Sequence, residues 1–258
     1  MATLNSVLKD LINSAPSEEL SQVIKSINTL KSTSSHINNI DDELETTLKL
    51  YDLQNIKSVI VNDESTLLSL DNLQNGWFID ELRGFKFQYD HLNRTVTDIE
   101  TIPQNDKLIQ LNNKLGDYFA NFENYSYVLI NDDDGDDDDQ SIKLVIKSSK
   151  SNASNFYSGS WISKHTITDS SIISEIQLHV HYYEEGNVHL TKPYTTSTSL
   201  SDSNLSTTLK QIETEFQTQL LNDFEKINEK KFKGLRRLLP ITRAKVNWVR
   251  AVGRDIVN

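Results

Sequence analysis

A chain of 258 residues, 36% hydrophobic and 24% charged, has the balance of a folded protein rather than a disordered one. It has no cysteine, which excludes disulfides and thiolate metal sites, and no apolar run approaches the roughly 20 residues a helix needs to span a bilayer. The net charge of −11 conceals an asymmetry: from Glu225 onward ten basic residues face three acidic ones, so this stretch carries +7 and everything before it −18.

The first segment, 1–54, reads as a helical stalk. Its opening residues lack the basic-then-apolar pattern of a secretory signal, so a cytoplasmic setting is expected. Val7, Leu8, Leu11 and Ile12 form a helical stripe that stops at Ala15-Pro16, because proline disfavours helix in the residue before it. Ser17 suits an N-cap, with Glu18 and Glu19 in the first turn of a second helix carrying Leu20, Val23, Ile24, Ile27 and Leu30. A third helix starts near Asp41-Asp42 and carries Leu44 and Leu48, which predicts a small antiparallel bundle.

From 55 to 198 the period changes to two, the signature of strands. Phe85, Phe87 and Tyr89 alternate with polar residues; so do Ile176, Leu178 and Val180, while Trp161, Ser163 and His165 share one face. Turn signals at Asn75-Gly76, Arg83-Gly84, Ser158-Gly159 and Glu185-Gly186-Asn187 predict short connections, hence an antiparallel meander. The acidic run within 131–140 places Gly135 where an EF-hand needs its glycine, but Ile130 then falls at the first ligand position and cannot bind metal. A solvated hairpin tip is expected there instead. The segment 199–231 returns to helical spacing, with Leu205, Leu209, Ile212, Phe216, Leu220, Phe224 and Ile227 on one stripe. One apolar face this long requires a matching surface, and the sheet supplies it. The fold class is therefore α+β.

Catalytic signatures are absent: no phosphate-binding glycine loop, no GxSxG and no HExxH occurs, so neither enzyme activity nor a cofactor is expected. His179-Val-His181, with Glu185 and His189 nearby, imitates part of a cupin metal motif, yet Ile173 and Lys192 stand where the flanking glycines belong. Polar histidines on a strand face are expected, with no metal. The last segment, 232–258, interleaves basic residues with Leu235, Leu238, Leu239, Ile241, Val246 and Trp248. Such an amphipathic tail suits an acidic groove on a protein or anionic lipid headgroups, and sequence chemistry leaves both open. Nucleic acid is disfavoured because the acidic body repels phosphates.

Two motifs carry a family resemblance. Val180-His-Tyr-Tyr-Glu-Glu-Gly-Asn-Val188 resembles a signature of the F-actin capping protein alpha subunit, and Phe232 through Arg243 resembles a second. Weaker echoes occur at Asn75–Phe78, Tyr89–Leu92 and Asn155–Trp161, in the family's order. The resemblance, to a fungal member of the family, implies an obligate heterodimer with a capping protein beta subunit. It implies an antiparallel sheet shared between the subunits, with a long helix laid across it. It also implies binding to actin filament barbed ends, in cortical actin structures, that blocks subunit addition and loss without severing. By motif alignment the actin contacts fall on Lys233, Arg237 and Arg243, with Arg236, Lys245 and Trp248 beside them in the tail. Regulation by anionic phosphoinositides is a further implication. The alternative kept beside this reading is a peripheral protein that binds anionic lipid through the same tail.

Overall fold

The structure, a computed structural model, describes residues 4–15, 19–33, 40–120, 122, 124–132, 141–183, 188–200 and 204–227. Three helices open it: α1 (Leu4–Ser14), α2 (Leu20–Thr33) and α3 (Ile40–Gln54). Helix α3 begins with Asp41, Asp42 and Glu43 in its first turn, where the helix dipole favours carboxylates. The bundle core is made by Leu8 and Ile12 from α1, Leu20, Ile24 and Ile27 from α2, and Leu44, Leu48 and Tyr51 from α3. The stripes are wider than this core, since Val7, Leu11 and Leu30 remain exposed. Ser17, read as an N-cap, lies outside the described residues.

Three antiparallel sheets follow. Strands β1 (Ser58–Val61) and β2 (Glu64–Leu67) form a hairpin. A four-stranded sheet runs β3 (Leu73–Gln74), β4 (Trp77–Asp80), β5 (Phe85–Asp90), β6 (Thr95–Thr101). Asn75 and Gly76 join β3 to β4 with φ of 50° and 84°, the pair of positive angles a two-residue hairpin turn demands. Gly84 is at φ +77°, and a Cβ added there would sit 2.8 Å from the Gln104 side chain, so the second turn also requires glycine. On β5, Phe85, Phe87 and Tyr89 are buried and their neighbours half-buried, as alternation predicts.

The largest sheet is a five-stranded meander: β7 (Tyr125–Asp132), β8 (Ser141–Asn152), β9 (Tyr157–Ile167), β10 (Ser171–Tyr182) and β11 (Val188–Ser199), each paired with its sequence neighbour. Ser158-Gly159, expected as a turn, instead lies inside β9, paired with His181 and Val180. The chain reverses earlier, through a short 3-10 turn at Ala153–Asn155 and Phe156 at φ 53°. Two helices in the strand-like middle also went unread: α4 (Asp106–Lys114), capped by the Asn105 side chain, and the single turn α5 (Gly116–Phe119). Last comes α6 (Leu205–Ile227).

One face of the meander packs under α4, α5 and α6, where Leu144, Ile146, Ile176 and Leu178 meet Leu209, Ile212, Phe216 and Leu220. The opposite face meets the β1–β2 hairpin through Val128, Ile130 and Val145 against Ile56 and Leu67. Among the described residues no helix is long and apolar enough to cross a membrane.

A buried ion cluster ties the bundle to the second sheet. Asp52 of α3, 1% exposed, faces His91 Nδ1 at 2.8 Å and accepts from Arg94 Nη1 at 2.7 and 2.8 Å. Asp52→Ala leaves the His91 and Arg94 partners without their carboxylate. A loss of about 3 kcal/mol is expected by chemical denaturation, in the range for breaking one side of a buried pair. A loss below about 1 kcal/mol would mean water already shares this cluster.

Candidate functional site

The residues singled out by motif alignment, Lys233, Arg236, Arg237, Arg243, Lys245 and Trp248, lie outside the described residues, as does the run 133–140. What is described is the platform that carries them, because α6 ends at Ile227, five residues before Phe232.

That platform is held by four kinds of contact. Phe216 is fully buried, stacks on Tyr194 of β11 at 5.1 Å and meets the Trp161 ring edge-on at 5.1 Å. Near its start, Ser206 Oγ donates to the Lys114 carbonyl of α4 at 2.8 Å. Near its end, Asp223 pairs with Lys192 of β11 at 2.6 Å and Lys226 at 3.6 Å, which lowers the Asp223 pKa, first through the Lys192 hydrogen bond. At mid-length Tyr118 Oη of α5 donates to Glu213 Oε1 at 2.5 Å.

Glu213 is 9% exposed, and burial pushes its pKa up to about 7 despite the Tyr118 hydrogen bond, which acts the other way. The folded state therefore holds a proton that the unfolded chain, near 4.5, releases. The stability tied to that proton is complete below pH 4.5 and is lost as pH rises toward 7, by up to about 3 kcal/mol. Glu213→Gln keeps an acceptor for Tyr118 and removes the titration. It is expected to raise stability at pH 8 by about 2 kcal/mol and to flatten the dependence between pH 4.5 and 7. An unchanged slope in urea unfolding across that range would place the responsible group elsewhere.

Strand β11 forms one edge of the meander, and from His189 onward its residues alternate between exposed and half-buried. Among the described residues no strand pairs with its outer side. On the face away from α6, His181 and His189 stack at 3.9 Å with planes 21° apart, and His179 lies 5.7 Å from His189. Parallel rings keep their nitrogen lone pairs in parallel planes rather than converging. Among the described residues no group of histidine and carboxylate side chains is placed to hold a metal ion. His179 Nδ1 contacts Thr191 Oγ1 at 3.0 Å instead. His165, on the α6 face, is buried beside Ser174, and burial pushes its pKa down to about 4, so it is neutral.

The residues behind the weaker sequence echoes serve the scaffold. Trp77 lies under Lys86 at 4.5 Å, and Phe78 stacks on Phe87 at 5.6 Å. Asp90 accepts from the Leu92 and Asn93 backbones at 2.9 and 2.8 Å, shaping the turn that delivers His91 and Arg94 to Asp52. Sequence reasoning did not find Asp52, Glu213 or Asp80. The last, fully buried, accepts from Thr66 and Arg83 at 2.7 Å each. Charged residues at positions of apolar spacing were the available signal, since Asp52 and Glu213 both interrupt or flank buried helical stripes.

Comparison with known proteins agrees with the sequence signatures. The family model described as F-actin capping protein alpha subunit matches residues 8–258. The F-actin-capping protein subunit alpha of Candida glabrata is 31% identical over 96% of this chain and 94% of its own length. That of Debaryomyces hansenii is 33% identical over 97% and 93%. Among solved structures, the homodimeric actin capping protein alpha subunit from Plasmodium berghei superposes with a TM-score of 0.66. It is 17% identical and covers 93% of this chain and 98% of its own, a likeness of fold.

Proposed function

This chain belongs to the F-actin capping protein alpha subunit family, and from that premise we infer that it caps actin filaments as one subunit of a capping protein assembly. It acts by occupying the barbed end, where it blocks subunit addition and loss without severing. The observation that carries this reading is the match of residues 8–258 to the family, which includes the basic tail. The rival reading, a peripheral lipid-binding protein, draws no support from the relatives, which are named as F-actin-capping subunits.

The mechanism follows from charge and support. An acidic body of −18 carries a tail of +7 beyond a helix clamped to the sheet by Phe216 and Asp223 and to α5 by Glu213. Lys233, Arg237 and Arg243, with Arg236 and Lys245, pair with carboxylates on the acidic filament end, and Trp248 anchors the apolar side of the tail. The partner is a beta subunit that adds its own strand to the outer side of β11, a twelve-residue edge whose backbone groups need pairing. Anionic phosphoinositides compete for the same basic cluster. The protein works in the cytoplasm on cortical actin, as a binding protein rather than an enzyme.

The test is elongation of fluorescent actin from filament seeds in the presence of this chain co-purified with a beta subunit. Inhibition at concentrations far below that of actin supports capping. Unimpeded barbed-end growth in the presence of a folded assembly overturns it.

A further inference from the structure

Between the N-terminal bundle and the polar face of the meander lies a cavity of about 660 Å³. Six basic side chains line it: Lys57 at the start of β1, Arg94 before β6, Lys147 of β8, His179 and His181 of β10, and His189 of β11. Asp52 is the one carboxylate among the described lining residues, and it is already engaged by His91 and Arg94. Ser160 and Gln177 add neutral hydrogen-bonding groups to the wall.

A concave, polar, cation-lined space in a body of net negative charge is an unusual arrangement. Like charges crowded at low dielectric are costly unless an anion joins them. The crowding is visible in the groups themselves. Burial, then the Arg94 charge, holds the Lys57 ammonium below its usual pKa. Burial and the neighbouring imidazoles hold His179 and His189 low as well. Lys147 is steadied at the rim by donating to the Asn55 carbonyl at 2.6 Å, so its charge is fixed in place rather than swinging in solvent.

We propose that this cavity is a binding site for a small polyphosphate anion. Lys57 and Lys147, with three imidazoles on other strands, match an anion with several charged groups better than a single carboxylate or chloride. The volume exceeds what one phosphate would fill. The His189 ring stacks on His181 at 3.9 Å, and burial together with that neighbour disfavours a charge on His189. An anion between them and Lys57 reverses that balance, so binding draws in protons. The charged groups facing these histidines across the cavity are Lys57, Arg94, Lys147 and Asp52. The inference is independent of the actin reading and uses none of the tail residues.

Isothermal titration of tripolyphosphate, and separately of inositol hexakisphosphate, into this chain in the assembly in which it purifies tests this. Saturable binding at one site is expected, with proton uptake at pH 6.5 revealed by buffers of different ionisation heat. Lys57→Gln combined with Lys147→Gln should weaken it by roughly tenfold or more. His179→Gln with His189→Gln, at positions that are not in the core, should sharply reduce the proton uptake while the protein stays folded. A tail variant with Lys233, Arg237 and Arg243 replaced together by alanine should bind the soluble anions as the parent does. Phosphoinositide vesicles form a further arm: loss of vesicle binding in the Lys57/Lys147 variant would identify the source as a lipid headgroup reaching the cavity, and retention identifies a soluble anion. Absence of saturable binding, binding without proton uptake, or binding lost only in the tail variant overturns the proposal.

Discussion

Replacing Lys233, Arg237 and Arg243 together by alanine is expected to weaken barbed-end inhibition by about two orders of magnitude while leaving assembly with the beta subunit intact. Hydrogen bonds to charged partners contribute about 1.5–3 kcal/mol each, and about 1.4 kcal/mol is tenfold in affinity. Three such contacts that partly substitute for one another lose less than their sum, which makes about 100-fold a conservative expectation. Part of the loss should be in the association rate, because an electropositive tail on an acidic body is steered toward an acidic filament end. Raising salt should therefore slow capping by the parent more than by the variant. Equal potency of the two, with the assembly intact, would move the actin contacts off these three residues without touching the capping reading.

Phe216→Ala should be the most damaging single substitution in the described core. Its ring is fully buried between Tyr194 and Trp161, at the midpoint of α6. Truncating a buried phenylalanine costs about 3–5 kcal/mol, because the removed contacts and the residual cavity add together. For a chain of this size that corresponds to a fall in melting temperature of roughly 10 °C. Hydrogen exchange should report faster opening in α6 and β11 than in the N-terminal bundle. Leu221→Ala, on the exposed side of the same helix at 45% exposure, should cost under about 0.5 kcal/mol. Similar losses from both variants would mean that helix propensity, rather than the sheet contact, holds α6 in place.

Much of this architecture was legible where one periodicity governed a long segment. The stripe from Leu205 to Leu220 placed α6, alternation placed β5 and β10, and Asn75-Gly76 announced its turn. Failures came where the local signal was short or ambiguous. Helix α4 has nine residues and one fully buried leucine, too little for a helical period to stand out amid strands. Ser158-Gly159 has the composition of a turn, yet pairing on both sides within the meander overrides that preference. The ionic contacts were illegible for a different reason. Asp52 meets His91 across 39 residues and Tyr118 meets Glu213 across 95, separations that no pattern along the chain encodes. The tail is the reverse case: motif resemblance points to its residues, while they lie outside the described part of the structure.

The meander's strict neighbour-to-neighbour order also sets a timetable for synthesis. Every strand of the large sheet pairs with the one made just before it, so the sheet can assemble progressively as the ribosome releases residues 125–199. One part of its cover arrives last: Leu209, Ile212, Phe216 and Leu220 are translated only after β11 is finished. Until then Leu144, Ile146, Ile176 and Leu178 lack their α6 partners, beside a strand edge that no described strand covers. A ribosome paused just beyond Ser199 would thus expose this protein at its stickiest, and the interval before α6 closes is when it most needs a chaperone.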